Sequence, residues 1–267
     1  MKIAAIQMIS GPEIGENLRK AERLIGQAAE GGARLVVLPE YFPMIGANDA
    51  GRLEAAESEG SGPIQGFLSG MARRHKIWLV GGSLPLLASR PDKTRNTCFA
   101  YDEQGEQRAR YDKIHLFSFE NGKERYEEGN SIEPGEQIAV CDTPFGKMGL
   151  SICYDLRFPE LFRKMGEVDL IVVPAAFTEP TGIAHWEILL RSRAVENQCY
   201  VIASAQGGLH PNGRRTYGNS MIIDPWGEML ARMDKGEGIV MAEMELSRIE
   251  EVRKALPALR HRKLGIP

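Results

Sequence analysis

The sequence predicts an α/β fold in which mixed sheets are layered with helices. Three observations carry that expectation. Short apolar runs at 33–38 and 170–173 are nearly continuous, as in strands buried on both faces. Segments with apolar residues at steps of three and four alternate with them, as amphipathic helices do. Glycine, proline and polar turns separate the elements, and nothing reads as a linker or a low-complexity stretch. The 267 residues are therefore expected to form one domain, 1–267, long enough to bury a sizeable core without staples.

Taken in order, 3–8 is a first short strand. Residues 17–30 form a helix whose Leu18, Ala21, Ile25 and Ala28 share one face, and Gly31-Gly32 ends it because glycine tolerates a left-handed cap. The strand 33–38 stops at Pro39-Glu40. A helix at 64–75 leads into a buried strand at 77–80. Segments 98–101 and 107–111 pair as a hairpin around a turn at 102–105. Strands at 138–141 and 147–152 flank the turn Thr143-Pro144-Phe145-Gly146, and a helix covers 158–165. A strand at 170–173 precedes a helix at 186–197 with Trp186, Leu189, Leu190 and Ala194 inward, and strands follow at 201–205, 220–223 and 239–244. Segments 33–42 and 168–177 each carry a strand that runs into a proline. They are either matching parts of a pseudo-symmetric pair of sheets or two unrelated βα units.

Composition excludes several function classes. Hydrophobic content of 43% and charged content of 26% are ordinary for a globular protein. A net charge of −3 without a basic, aromatic-interleaved stripe argues against nucleic acid. No apolar run reaches the ~18 residues of a membrane span, and the first residues lack a secretory signal. The four cysteines are scattered with no CxxC pair, which fits reduced thiols in the cytoplasm. His75, His210 and His261 have no ligand spacing, so no metal site is expected. Gly81-Gly82-Ser83 is too weak a cluster to cradle a phosphate, and no nucleotide fingerprint or Gly-x-Ser-x-Gly occurs. No cofactor is expected.

Candidate chemistry lies where strands end. Apolar residues run up to Cys153, and a charged turn and helix follow. Helix N-terminal N–H groups favour negative charge on a thiol placed there, although most buried cysteines are simply small hydrophobes. Glu40 follows an apolar strand, where burial raises a carboxyl toward the range useful for proton transfer; a solvated loop charge or helix cap has the same pattern. Lys113, between Tyr111-Asp112 and Ile114-His115-Leu116-Phe117, suits an oxyanion or a salt bridge to Asp112 or another acid. His115 and His185 are each open to a role as base or to plain packing.

Together, Leu38-Pro39-Glu40, Tyr111-Asp112-Lys113-Ile114-His115-Leu116-Phe117 and Ser151-Ile152-Cys153-Tyr154-Asp155-Leu156-Arg157-Phe158-Pro159-Glu160 make this chain resemble the nitrilase superfamily of carbon–nitrogen hydrolases over essentially its whole length. The resemblance implies a four-layer α-β-β-α sandwich of two mixed sheets flanked by helices. It implies a catalytic triad of Glu40 (general base and acid), Lys113 (oxyanion stabiliser) and Cys153 (nucleophile), acting through a thioester. It also implies a second glutamate ahead of Pro134-Gly135 that positions Lys113; Glu128 fits, with Glu127 as the other register. Residues 184–201 and 217–227 are similar to the Nit branch, and within it to enzymes that cleave the amide of deaminated glutathione, a metabolite-repair reaction giving 2-oxoglutarate and cysteinylglycine. Asn219 departs from these, which often carry histidine there; if that residue touches substrate, the departure bears on the substrate and not on the reaction class. Alternatives are an ω-amidase acting on 2-oxo acid amides such as 2-oxoglutaramate, an N-carbamoyl amine hydrolase, or a silent scaffold. Against the last, no binding module needs Glu40, Lys113 and Cys153 together.

A substrate with two carboxylates calls for arginine. Arg157, Arg191, Arg214 and Arg215 are candidates, and Tyr154, Arg157, Ala176, Phe177, His185, Arg214 and Arg215 form the expected substrate-binding set, with the Tyr154 N–H as second oxyanion donor. The resemblance further implies a homodimer or higher homo-oligomer, with 159–163 and the C-terminal tail as candidate contacts.

Overall fold

Strand alternation decides the layers. In β1 (Lys2–Gln7) and β2 (Ala33–Val37), Ile3, Ala5, Leu35 and Val37 join one core, and Ala4, Ile6 and Val36 join another. The computed structural model describes residues 1–46, 49–120, 122 and 125–264. The first core lies between two sheets, where those side chains meet Leu170, Val172 and Ile202 of the second half. The second lies under α1 (Ile14–Glu30) and α3 (Pro63–His75), which contribute Ala21, Leu24, Ile25, Ile64 and Leu68.

The first sheet continues through β3 (Trp78–Val80), β4 (Leu84–Leu87), β5 (Thr94–Tyr101), β6 (Gln107–Asp112) and β15 (Gly238–Glu243). Its order is β15-β1-β2-β3-β5-β4, with β6 also on β5. The second sheet is built from β9 (Val140–Thr143), β10 (Gly146–Leu150), β11 (Leu170–Ala175), β12 (Tyr200–Ala205), β13 (Met221–Ile223) and β14 (Met229–Arg232), in the order β14-β13-β12-β11-β10-β9. On its outer side lie α4 (Pro159–Lys164) and α5 (Glu179–Asn197), with Phe162, Trp186, Leu190 and Ala194 buried. The layers are therefore α-β-β-α. Short α2 (Asp49–Glu54), the hairpin β7 (Ser118–Glu120)–β8 (Arg125–Glu127) and α6 (Leu246–Ala255) lie outside this stack.

β2 is the middle of a parallel trio with β1 and β3, and β11 is the middle of a parallel trio with β10 and β12. The two proline-terminated strands thus occupy matching places in two sheets, which selects the paired-sheet reading.

Several elements differ from the sequence expectation. The helix expected at 186–197 begins at Glu179, with proline in its first turn. Its first two turns hide no apolar stripe: Gly182 packs on Tyr217 and Ile183 faces outward, 69% exposed. Leu189 is only half-buried; Arg193 takes the inward face, donating from Nε and Nη2 to Leu156 O at 3.1 and 2.8 Å. β4, β14 and α6 were not legible; α6 buries only Ile249 and Val252 among charged residues. The helix expected at 158–165 is α4, preceded by a separate tight helical turn at Cys153–Arg157. Among the described residues, no helix is long and apolar enough to cross a membrane.

Gly82 shows how the stack fixes Glu40. It has φ +58, and a Cβ there would lie 2.1 Å from Pro39 O at the end of β2. Gly82→Ala should cost about 2 kcal/mol or more, from backbone strain plus a clash with main chain. Thermal unfolding of the variant checks this; an unchanged Tm would show that the Pro39 segment yields freely.

Candidate active site

The residues that converge here all sit just beyond strand ends. Glu40 follows β2, Lys113 follows β6, Cys153 follows β10 and Ala176 follows β11. Ligand crevices of open α/β sheets form at the carboxyl ends of strands in the same way.

Glu40 is buried, with 1% of its surface exposed. Its Oε1 accepts from Lys113 Nζ at 2.8 Å and Asn96 Nδ2 at 2.9 Å, and its Oε2 accepts from the Ala176 N–H at 2.9 Å. One carboxylate thereby holds groups from both sheets. The chain turns sharply after it: Tyr41 has φ +56, and its N–H donates to Ser83 Oγ at 3.0 Å.

Lys113 is held by its backbone as well as its charge. Its N–H donates to Asn96 O at 2.9 Å, and its carbonyl accepts from Gly135 at 2.9 Å. A side chain at Gly135 would lie 2.2 Å from Asp112 O, so this approach requires glycine. Besides Glu40, the ammonium donates to Glu128 Oε2 at 2.8 Å. Glu128 also accepts from Tyr41 OH at 2.7 Å and the Phe117 N–H at 2.8 Å. Glu127 points elsewhere and accepts from Ser118 Oγ at 2.9 Å, so of the two registers it is Glu128 that faces Lys113.

Cys153 has φ +50, a left-handed conformation unusual for a residue with a side chain. It turns the chain from strand into the short helical turn, whose first N–H groups have no intrahelical acceptor. Asp155, fully buried, fixes this turn. Its Oδ2 accepts from the Ile152 N–H and Tyr111 OH, each at 2.8 Å, and its Oδ1 accepts from the His115 N–H at 3.1 Å. His115 Nδ1 lies 2.7 Å from the same Oδ1, and its ring stacks on Phe158 with centroids 3.8 Å apart. His115 is therefore a partner of Asp155, tying the Lys113 segment to the Cys153 turn, and not the base of a Cys–His pair.

The electrostatics follow from burial and the surplus of carboxylate. Burial, and then the charge of Glu40, push the Cys153 thiol well above the ordinary range, with Lys113 opposing. Burial works against the Lys113 ammonium, but Glu128 and Glu40 outweigh it and hold its pKa well above the usual value. Burial also works against Glu128 ionisation; Lys113 overcomes it and lowers that carboxyl below the usual range. Burial and Glu128 push the Tyr41 phenol well up, so it remains a donor. The resting site is an ammonium between two carboxylates, beside a protonated thiol.

The pocket at Cys153 is lined by Glu40, Phe117, Glu128, Tyr154, Ala176, Phe177, Thr178, Thr181 and Arg214. Arg214 donates from Nη2 to Ala176 O at 3.0 Å and lies 5.3 Å from the Tyr126 ring centroid. The other sequence candidates stand outside this lining. Arg157 lies over the Tyr154 and Phe177 rings at 5.7 and 5.3 Å, with Nη1 3.2 Å from Nδ1 of the exposed His185. Arg215 is exposed, and Arg191 donates to Gly227 O at 2.9 Å on α5. Asn219 is also away from the lining: its amide bonds Tyr217 O and Arg232, at 2.8 and 2.9 Å. Asn219 therefore does not reach the thiol pocket. Asn96, Tyr41 and Asp155 were missed by sequence reasoning; Asn96 lies in β5, which begins at Thr94 and not at the expected 98. Among the described residues, no group of His, Cys, Asp and Glu side chains could hold a metal ion.

Two sheets in α-β-β-α layers, with a glutamate, a lysine and a cysteine meeting at their strand ends, define a nitrilase-fold hydrolase site. Residues 2–254 match the carbon-nitrogen hydrolase family, and the chain belongs to it. It is 40% identical over 264 residues to a deaminated glutathione amidase of Yersinia enterocolitica, covering 97% of this chain and 92% of that protein. It is 42% identical over 266 residues to a deaminated glutathione amidase of Synechocystis, covering 97% of each. Among solved structures, the NitFhit protein of C. elegans matches with a TM-score of 0.90 at 40% identity, over 99% of this chain and 66% of that one.

The raised Cys153 thiol has a spectroscopic consequence. At pH about 8.5, where a free cysteine is half ionised, no ultraviolet thiolate band removable by Cys153→Ser should be present. The other three cysteines are buried and also shifted up, Cys141 to about 11, so they do not obscure the difference spectrum. A Cys153-dependent thiolate at neutral pH contradicts the arrangement.

Proposed function

We propose that the protein hydrolyses the amide of deaminated glutathione to 2-oxoglutarate and cysteinylglycine, with Cys153 as nucleophile. The observation that carries this reading is the buried Lys113 ammonium, bonded to Glu40 and Glu128 beside the protonated thiol. Relatives at 40–42% identity over nearly the whole chain bear that amidase name and support the substrate.

In this mechanism Glu40 takes the thiol proton as sulfur attacks the amide carbonyl. The oxyanion forms between Lys113 Nζ and the Tyr154 N–H. Glu40 passes its proton to the departing amine as the C–N bond breaks, leaving a thioester on Cys153. Glu40 then removes a proton from water as it attacks the thioester, and the acid and the thiol are released. Protonation of Glu40 on the first step frees Lys113 from one of its two carboxylates when the oxyanion appears. Glu128 and Tyr41 position the ammonium throughout. Because the nucleophile must stay reduced, the reading includes a cytoplasmic setting. It also includes a homo-oligomer: exposed Ile183, Ile188 and Val195 on α5 supply an apolar face beside α4, which contains the expected 159–163 contact. Of the expected C-terminal contact, 265–267 lie outside the described residues.

A panel of amides scored by kcat/KM tests the substrate: deaminated glutathione should exceed 2-oxoglutaramate and N-carbamoyl amines, and the reverse order selects an alternative activity. Cys153→Ala should fold yet give no acyl-enzyme by mass spectrometry; a persisting adduct removes Cys153 from its role. Lys113→Met should lower turnover about a hundred- to a thousandfold, with circular dichroism showing whether the two stranded carboxylates also unfold the protein.

A further inference from the structure

Arg214 belongs to two spaces at once. The pocket at Cys153 has a volume of about 10 Å³, room for about one water molecule. A neighbouring cavity of about 430 Å³ shares Phe117, Glu128 and Arg214 with it. A tripeptide-sized substrate exceeds the smaller space, and the shared wall is where it can extend.

The Arg214 guanidinium is held in place with donor capacity left over. Its Nη2 donates to Ala176 O at 3.0 Å, and the Ala176 N–H in turn donates to Glu40 Oε2 at 2.9 Å. Arg214 is thereby anchored to the residue that holds Glu40. The loop behind it is braced. Buried His210 lies between Ser10 O at 2.9 Å and Thr216 Oγ1 at 2.8 Å, and its N–H donates to Arg214 O at 2.9 Å.

Against that fixed background one donor is unmet. Arg214 Nε is buried and has no hydrogen-bond partner among the described residues. Nor does Arg214 form an ion pair with a carboxylate among the described residues. The acids on the cavity wall are committed elsewhere: Glu128 accepts from Lys113, Tyr41 and the Phe117 N–H, and Glu127 accepts from Ser118. Buried donors are normally satisfied, and a partly desolvated cation is costly without an anion. Both facts call for a negatively charged acceptor on a ligand.

We propose that Arg214 is the charge-selecting residue of this site, donating from Nε to a carboxylate of the substrate. The inference rests on the amidase reading above and extends it to substrate selection: acidic amides are preferred to neutral ones of the same shape. A carboxylate suits the guanidinium because hydrogen bonds between charged partners are shorter and about twice as strong as neutral ones.

The test compares deaminated glutathione with the same molecule in which both carboxylates are carboxamides, scoring release of the dipeptide amine. The wild-type protein should favour the diacid by about tenfold or more in kcat/KM, the magnitude of a charged hydrogen bond. In Arg214→Gln the ratio should fall toward one. The same comparison, read as dissociation constants on a Cys153→Ala background, needs no turnover and should give the same fall. If Arg214 acts only by holding Ala176 and Glu40, or by offsetting the charge of Glu128, both compounds slow alike. A ratio that survives the substitution therefore overturns the proposal. A wild-type ratio near one also overturns it, while the amidase assignment stands. If neither compound is hydrolysed, the amidase assignment fails and this inference fails with it.

Discussion

An ammonium group taken out of water between two carboxylates sets the terms for this protein. Lys113 is fully buried, and burial alone would lower its pKa. Glu40 and Glu128, each 2.8 Å away, keep it charged. The three side chains come from the end of β2, the end of β6 and the turn after β8. Removing one member would leave an uncompensated charge in low dielectric, which costs several kcal/mol in such clusters. The carboxylates in turn require their own donors, and these are Asn96, the Ala176 amide, Tyr41 and the Phe117 amide. Satisfying one buried cation therefore specifies the relative placement of strand ends from both sheets.

The same cluster shapes the thiol. One ammonium cannot neutralise two carboxylates and a thiolate, and burial with Glu40 holds the Cys153 thiol well above its ordinary range; in the proposed mechanism Glu40 accepts its proton. This differs from cysteines activated by a neighbouring cation, where the thiolate forms in advance. In the proposed mechanism charge develops on sulfur only as it attacks, which avoids burying a second uncompensated anion. The left-handed backbone at Cys153 presents the thiol at the strand end, and Asp155 maintains that turn by bonding Ile152 before it and Tyr111 and His115 across from it.

Paired sheets supply the geometry. Glu40 follows β2 and Ala176 follows β11, and the two meet as carboxylate and amide. Glycines at 82 and 135 permit the backbone approaches that hold Glu40 and Lys113. The Gly81-Gly82-Ser83 run is thus a support for the Glu40 turn, with Ser83 accepting from Tyr41, and not a ligand cradle.

The sequence by itself determined the buried strands, because apolar residues that face two cores must be apolar on both faces, as in 33–38 and 170–173. Taken singly, Glu40, Lys113 and Cys153 were open to plain readings; as a set, their motifs were marked by the resemblance to the nitrilase superfamily. The sequence did not reveal α6 or β14, whose few inward residues leave a weak periodic signal, nor the early start of α5, where Gly182 replaces an apolar side chain. The choice of Glu128 over Glu127, the pairing of His115 with Asp155, and the placement of Arg214 at the pocket with Arg215 outside it were decided by tertiary structure alone. Each concerns the partner of a polar group across distant parts of the chain. Hydrophobic periodicity is written in neighbouring residues, whereas a buried hydrogen bond exists only after packing has fixed which strand ends meet.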